Sequence, residues 1–194
     1  MDAPAPVPSP VPSARQTELL DAAYAYVLDH GIAEVSLRPL AAAIGSSPRV
    51  LLYLFGSKDG LVRALLTKAR EDELGMLRED GIVSGDGLAV AVRRTWAWLK
   101  APEHRALLVI WVESYARSLA DPHGAWSGFA RLTVEDWLAL LAAAQPATER
   151  DTEAGRGRRT LALALLRGAL LDLLATGEEE RVSAAVELQL GALG

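Results

Sequence analysis

Between Val35 and Lys58 the chain carries Arg38, Arg49 and Lys58 and no Asp or Glu, whereas residues 14–34 carry four acids and a single Arg. Cations in so uncompensated a stretch are suited to phosphate, and a guanidinium also matches the O6/N7 edge of guanine in bidentate fashion. Arg49 follows Ser46, Ser47 and Pro48, residue types that open a helix, so it stands beside free backbone amides and the positive end of a helix dipole. Tyr53, four residues on, shares that face and offers a hydroxyl donor. Ser36 and Arg38 open the helix before, and Lys58 opens the helix after, in the place of a phosphate clamp. Each of these side chains alone is an ordinary solvated residue. Their coincidence around one short helix points to a surface that reads nucleic acid.

The elements that must hold them follow from punctuation and spacing. Apolar residues recur at helical intervals in every window, with almost no alternation of period two, so the fold is expected to be all-α with about nine helices. A first helix over about 15–29 has Leu19, Ala23, Tyr26 and Val27 on one stripe and stops at His30-Gly31. A second follows Ser36, turns Leu40, Ala41 and Ile44 inward, and ends at Gly45. A third starts at Pro48, buries Val50, Leu51, Leu54 and Phe55, and ends at Gly56. Ser57 caps a fourth, which runs to about residue 78 with Asp59 in its first turn. The second and third helices, joined around Gly45-Ser46-Ser47, have the lengths and the glycine of a helix-turn-helix, whose second helix fits the major groove.

Downstream, helices are expected over about 86–100, 103–120, 126–144, 157–176 and 179–192. They are separated by a glycine-rich break at 81–87, a turn at 121–124 and a polar loop at 145–155. Upstream, prolines at 4, 6, 8, 10 and 12 deny residues 2–12 both helix and sheet, and a disordered tail is the expectation.

The whole chain of 194 residues carries 20 Lys+Arg against 25 Asp+Glu, a net charge of −5, which argues against a nonspecific nucleic-acid coat or a polybasic membrane binder. Local charge, not the total, meets phosphate. There is no Cys, which removes disulfides and thiolate chemistry, and the three His lie at spacings that give no helical metal pair. No cofactor or metal is expected. No apolar run reaches the roughly 18 residues of a spanning helix, and the N-terminus does not read as a secretory signal. A cytoplasmic protein without membrane contact is expected.

The stretch from Leu19 to Leu66, LLDAAYAYVLDHG followed by SLRPLAAAIGSSPRVLLYLFGSKDGLVRALL, resembles the N-terminal DNA-binding domain of the TetR family of bacterial transcriptional regulators. The telling positions are Ala41 and Gly45, then Ser47, Leu51, Tyr53, Phe55, Ser57, Lys58 and Leu61, and the match spans the first four helices. Leu52 stands where the family usually has an aromatic residue, and Pro48 reshapes the reading surface. The resemblance implies that Ser36 and Arg38 contact DNA, that Ser47 to Val50 form the base-reading start of the third helix, and that Lys58 binds phosphate. With the proline-rich, disordered tail taken as 1–13, it further implies a helix-turn-helix domain over 14–60 and a ligand-binding and dimerisation domain over 61–194.

Within that larger part, Leu161, Leu165, Gly168 and Leu171, with Val182 and Val186 from the last helix, put apolar and small residues on more faces than one core requires. An isologous four-helix interface between two copies is the expected use, and two helix-turn-helix units about 34 Å apart then span successive major grooves. All five Trp fall between residues 96 and 137. Trp96, Trp111 and Trp137 lie on apolar stripes of three helices, with Tyr115, Phe129 and Thr133 on the same stripes, and Glu113 interrupts one of them as a polar anchor. Together they form the candidate pocket for a small-molecule effector; the competing reading is a plain aromatic core. Trp98 and Trp126 are expected at the surface or an interface.

A homodimeric repressor that binds an operator and is relieved by a small molecule leads these readings. A sensor or interaction protein that keeps the fold without DNA stands second. A helical enzyme stands third, since the Glu135-Asp136 pair splays to different sides of its helix and no nucleophile-base constellation is present.

Overall fold

A computed structural model describes residues 13–32, 35–79 and 85–191, which form an all-α fold of ten helices and one 3-10 turn. The tail at 2–12, residues 81–84 of the glycine break and the helix end expected at 192 lie outside the described residues. Helices α1 (Ala14–His30), α2 (Leu37–Ala43) and α3 (Pro48–Phe55) gather around the start of α4 (Lys58–Glu79). Leu19, Ala23 and Val27 of α1, Leu40 of α2, Leu51 of α3 and Leu61 and Leu65 of α4 make their shared core. Tyr24, rather than Tyr26, completes the buried stripe of α1, because it faces α4 and the Lys68 ammonium. Val50, expected in the core, is 38 % exposed on the open side of α3, leaving Leu51 as that helix's buried anchor.

The turn from α2 to α3 depends on Gly45, whose φ of +63° is a conformation that L side chains enter only with strain. Ser47 then caps α3 by accepting the Val50 amide proton at 3.3 Å, and Pro48 takes the first helical position.

The remaining helices are α5 (Leu88–Lys100), α6 (Arg105–Ala120), α7 (Phe129–Ala144), α8 (Ala147–Arg150), α9 (Glu153–Thr176) and α10 (Glu179–Leu190), with the 3-10 turn Pro102–His104 before α6. α5 packs on α9 and α10, while α6 and α7 pack on each other and join this layer to α1 and α4. The segment expected as a polar loop at 145–155 instead contains α8 and the first turn of α9, which starts at Glu153 rather than 157. Two contacts explain the early start. Thr152 Oγ1 accepts the Gly155 amide proton at 3.0 Å, and Gly155 passes so close to α8 that a Cβ there would lie 2.0 Å from the Glu149 carbonyl oxygen. None of the described helices is long and apolar enough to cross a membrane.

The middle of α4 faces two ways. Lys68 Nζ lies 3.0 Å from Asp21 Oδ1 on α1, while Arg70 Nε lies 2.9 Å from Asp136 Oδ2 on α7 and Glu73 accepts from Trp137 on α7. The pairing with Asp21 raises the Lys68 pKa, and burial, helped by Asp72, raises that of Tyr24.

Candidate functional site

Most of the residues expected to read nucleic acid stand exposed on three consecutive helices. Ser36 and Arg38 at the start of α2, Ser47 and Arg49 at the start of α3, and Lys58 at the start of α4 are all exposed. Tyr53 is 85 % exposed, and Val50 and Leu52 at 38 % and 41 % complete an open face on α3. Pro48 is half-buried, and Ser46 is turned inward, with an enclosed hydroxyl that meets no partner among the described residues. The Ser47 oxygen is engaged in the cap, which leaves its hydroxyl proton free for an acceptor outside the protein. Three cations and a phenol thus project from the N-terminal turns and open face of consecutive helices, with no acid between them in the chain. That is an arrangement for phosphate and base edges.

The aromatic residues divide. Trp111, Tyr115 and Trp137 come together: the first two stack at 5.2 Å between ring centroids, and Trp111 meets Trp137 at 6.3 Å. Trp96 belongs elsewhere, because its indole N–H donates to Ser183 Oγ on α10 at 2.9 Å. Glu113 is not their anchor: its carboxylate turns toward the end of α1, with Oε2 4.0 Å from the place of a Cβ on Gly31. Thr133 is buried and donates to the Phe129 carbonyl at 2.5 Å, which uses its proton inside its own helix. Phe129 instead lines a cavity of about 160 Å³ between α4 and α7, together with Arg63, Leu66, Arg70 and Leu132. Trp98 and Trp126, expected outside, are buried: Trp98 stacks on His104 at 4.3 Å, and Arg117 covers Trp126 at 5.4 Å.

Two charged residues that sequence reasoning passed over complete the aromatic group. Glu73 is 1 % exposed and accepts the Trp137 indole proton at 3.1 Å, while its second oxygen meets no partner. Burial pushes its carboxyl up to about 8, against the pull of the Trp137 hydrogen bond and of Arg167 and Arg70. Arg167 of α9 donates to the Tyr115 hydroxyl at 3.3 Å and lies 5.0 Å and 5.9 Å from the Tyr115 and Trp111 ring centroids. The signals were present in the spacing. Glu73 continues the inward stripe Val62–Leu66–Ala69, and Arg167 interrupts an apolar run between Leu161 and Leu174.

Comparison with known proteins agrees with this layout. Residues 19–65 match the family model described as bacterial regulatory proteins, tetR family. The chain is 30% identical over 184 residues, 91% of each protein, to the HTH-type transcriptional repressor Rv1474c of Mycobacterium tuberculosis. The chain belongs to the TetR family. As a TetR-family member it is a DNA-binding transcriptional regulator, and its family is one of regulators rather than enzymes. Among solved structures, a TetR-family regulator from Rhodococcus sp. superposes with a TM-score of 0.72 at 22% identity, covering 93% of this chain and 99% of that one. The multidrug binding protein EbrR, in a structure complexed with proflavin, superposes with a TM-score of 0.68 at 26% identity, covering 91% and 99%. The TetR fold therefore extends over both the reading helices and the aromatic group.

Proposed function

We propose that this TetR-family chain is a cytoplasmic, homodimeric repressor whose operator binding is relieved by a small molecule held in its C-terminal part. Residues 14–60 form the DNA-reading unit and residues 61–194 the ligand-binding and dimerising unit. Residues Ser47 to Val50 open the base-reading helix, Ser36 and Arg38 contact DNA from the start of α2, and Tyr53 and Lys58 meet phosphates. The observation that carries the reading is the acid-free, outward set of Arg38, Arg49, Tyr53 and Lys58. Full-length similarity to a repressor and the small-molecule complex of EbrR support the two halves of the proposal.

Dimerisation rests on a face of α9 and α10 that the protomer leaves open. Leu161, Leu171 and Leu188 are 54 %, 50 % and 79 % exposed, and Ala164, Gly168 and Ala185 are exposed beside them. The half-buried Leu165 borders the same face. Val182 and Val186 are withdrawn from it, because both are enclosed in the protomer's own core at 3 % and 0 % exposure. Small residues at heptad-like intervals on α9 let two such faces approach closely.

Ligand binding reaches the reading helices through α4, which is tied to α7 by Arg70 and Glu73 and to α1 by Lys68. A shift of α7 relative to α4 changes the separation of the two reading helices, and operator fit is lost when that separation no longer matches successive grooves. Fluorescence anisotropy on the DNA flanking the gene tests the assignment. Arg49→Ala and Lys58→Ala should each weaken binding, and Lys58→Ala should lower the salt slope by about one ion. Unchanged affinity and slope in both variants would refute it.

A further inference from the structure

The open face of α3 is short of polar groups. Arg49 and Tyr53 are the only side chains from Pro48 to Phe55 that can hydrogen-bond, and neither α2 nor α3 carries Asn, Gln, Asp or Glu. The residue types that grip adenine at two points or accept from the cytosine amino group are therefore missing from both helices. The backbone adds little. At the start of α3, Pro48 has no amide proton, Val50 donates its own to Ser47 Oγ at 3.3 Å and Leu51 to the Ser47 carbonyl at 3.1 Å, which leaves that of Arg49 alone for an outside acceptor.

What this face offers instead is apolar. At about 100° per residue, Arg49 and Tyr53 stand about 160° from the buried Leu51, while Val50 and Leu52 flank them at about 100° from it, one on each side. With Tyr53, these two are the only large apolar side chains of α1 to α4 that are exposed among the described residues. Leaving them in water forgoes burial that a partner surface restores. The cations Arg38, Arg49 and Lys58, with no acid between them in the chain, select a polyanion as that partner. In the major groove of a duplex one base feature is apolar, the thymine methyl group. We propose that Val50 and Leu52 read thymine methyl groups to either side of a guanine held by Arg49, so that each operator half-site is a guanine set among thymines. This rests on the reading of α3 as the helix in the groove and names the base chemistry that it selects.

Altered bases separate this contact from hydrogen bonding. Deoxyuridine keeps every hydrogen-bonding group of thymine and lacks only the methyl. 5-Methylcytosine carries the methyl at the same place in the groove but presents an amino donor where thymine presents its O4 acceptor. A face that reads methyl groups distinguishes thymine from deoxyuridine and tolerates 5-methylcytosine better than cytosine; a face that reads hydrogen bonds does neither.

The test uses the full-length protein and a pool of randomised duplexes from which it retains its own sites. The retained duplexes should share half-sites with guanine next to thymine. In fluorescence anisotropy at fixed salt, deoxyuridine in place of one such thymine should weaken binding about four-fold, with the salt slope unchanged. 7-Deazaguanine, which lacks the N7 acceptor, should cost the wild type about ten-fold and Arg49→Ala almost nothing. Val50→Ala and Leu52→Ala should each lose the preference for thymine over deoxyuridine at one position of the half-site. Both side chains are exposed, so both variants should fold; if one does not, the altered-base series on the wild type carries the test. Retained half-sites without thymine, equal affinity for either altered base, or variants that keep the methyl preference would overturn the proposal. Salt-dependent binding that Lys58→Ala weakens, with no methyl effect, would remove the methyl readout and leave the DNA-reading assignment standing. No salt-dependent binding to any duplex would sink both.

Discussion

Trp137 donates its indole proton to Glu73 Oε1 across 3.1 Å, joining α7 to α4 through two residues that are almost wholly enclosed. The bond stabilises the ionised carboxylate, yet desolvation outweighs it and leaves the carboxyl with a pKa of about 8. In the unfolded chain the same group returns to about 4.5. Between those values the folded protein holds a proton that the unfolded chain releases. The stability associated with this group is therefore complete below about 4.5 and is lost as pH rises through about 8. Urea denaturation of wild type against Glu73→Gln should show the wild type losing ground by up to about 1.4 kcal/mol per pH unit, then levelling off above 8. A difference that is flat across this interval would contradict the assignment.

Trp137→Phe keeps most of the ring and removes the donor. Glu73 is then left with both oxygens unpartnered, so the variant should lose about 1–3 kcal/mol, and its carboxyl should titrate higher still. The urea midpoint measures the first effect. An unchanged midpoint would show that the bond contributes nothing.

Gly45→Ala isolates a backbone effect, because nothing lies within 4 Å of the added methyl while φ there is +63°. A loss of about 1–2 kcal/mol is expected, and Gly45→Asn should recover part of it. Thermal melts of the three proteins give the order; an Ala variant as stable as wild type would mean that the turn is free to relax.

Leu188→Asp and Leu171→Asp place charges on exposed apolar positions of α10 and α9. Both variants should fold, run at half the wild-type mass in light scattering, and bind the operator far more weakly. Val186→Asp, in the protomer core at 0 % exposure, should instead fail to fold. A wild-type protein that is monomeric at micromolar concentration would remove the dimer from the proposed function.

The reading unit was legible because its signals are local. Gly45, Ser47, Pro48, Gly56 and Ser57 act within a turn of themselves, and they delimited α3 to the residue. The aromatic site was less so, because proximity between helices decides it. Trp96 shares the spacing of Trp111 and Trp137, yet α10 supplies Ser183 and draws its polar end away. Glu113 breaks an apolar run as a ligand anchor would, but that break faces the end of α1. Glu73 continues the inward register of α4, but its place in the acidic stretch 71–73 masks that register until Trp137 is set across from it. α8 was hidden because a four-residue helix has too few positions to show a period.

The two-faced middle of α4 sets a phase as well as a link. Lys68 answers to α1 and Arg70 to α7, only two residues apart along one helix. A helix advances about 100° per residue, so a single residue inserted after Ala69 would swing the reading head by more than a quarter of a circle about the α4 axis. Both halves could keep their own cores and still never meet one operator together. The length of α4 is thus an address: it records, in whole residues, which way the protein faces its DNA.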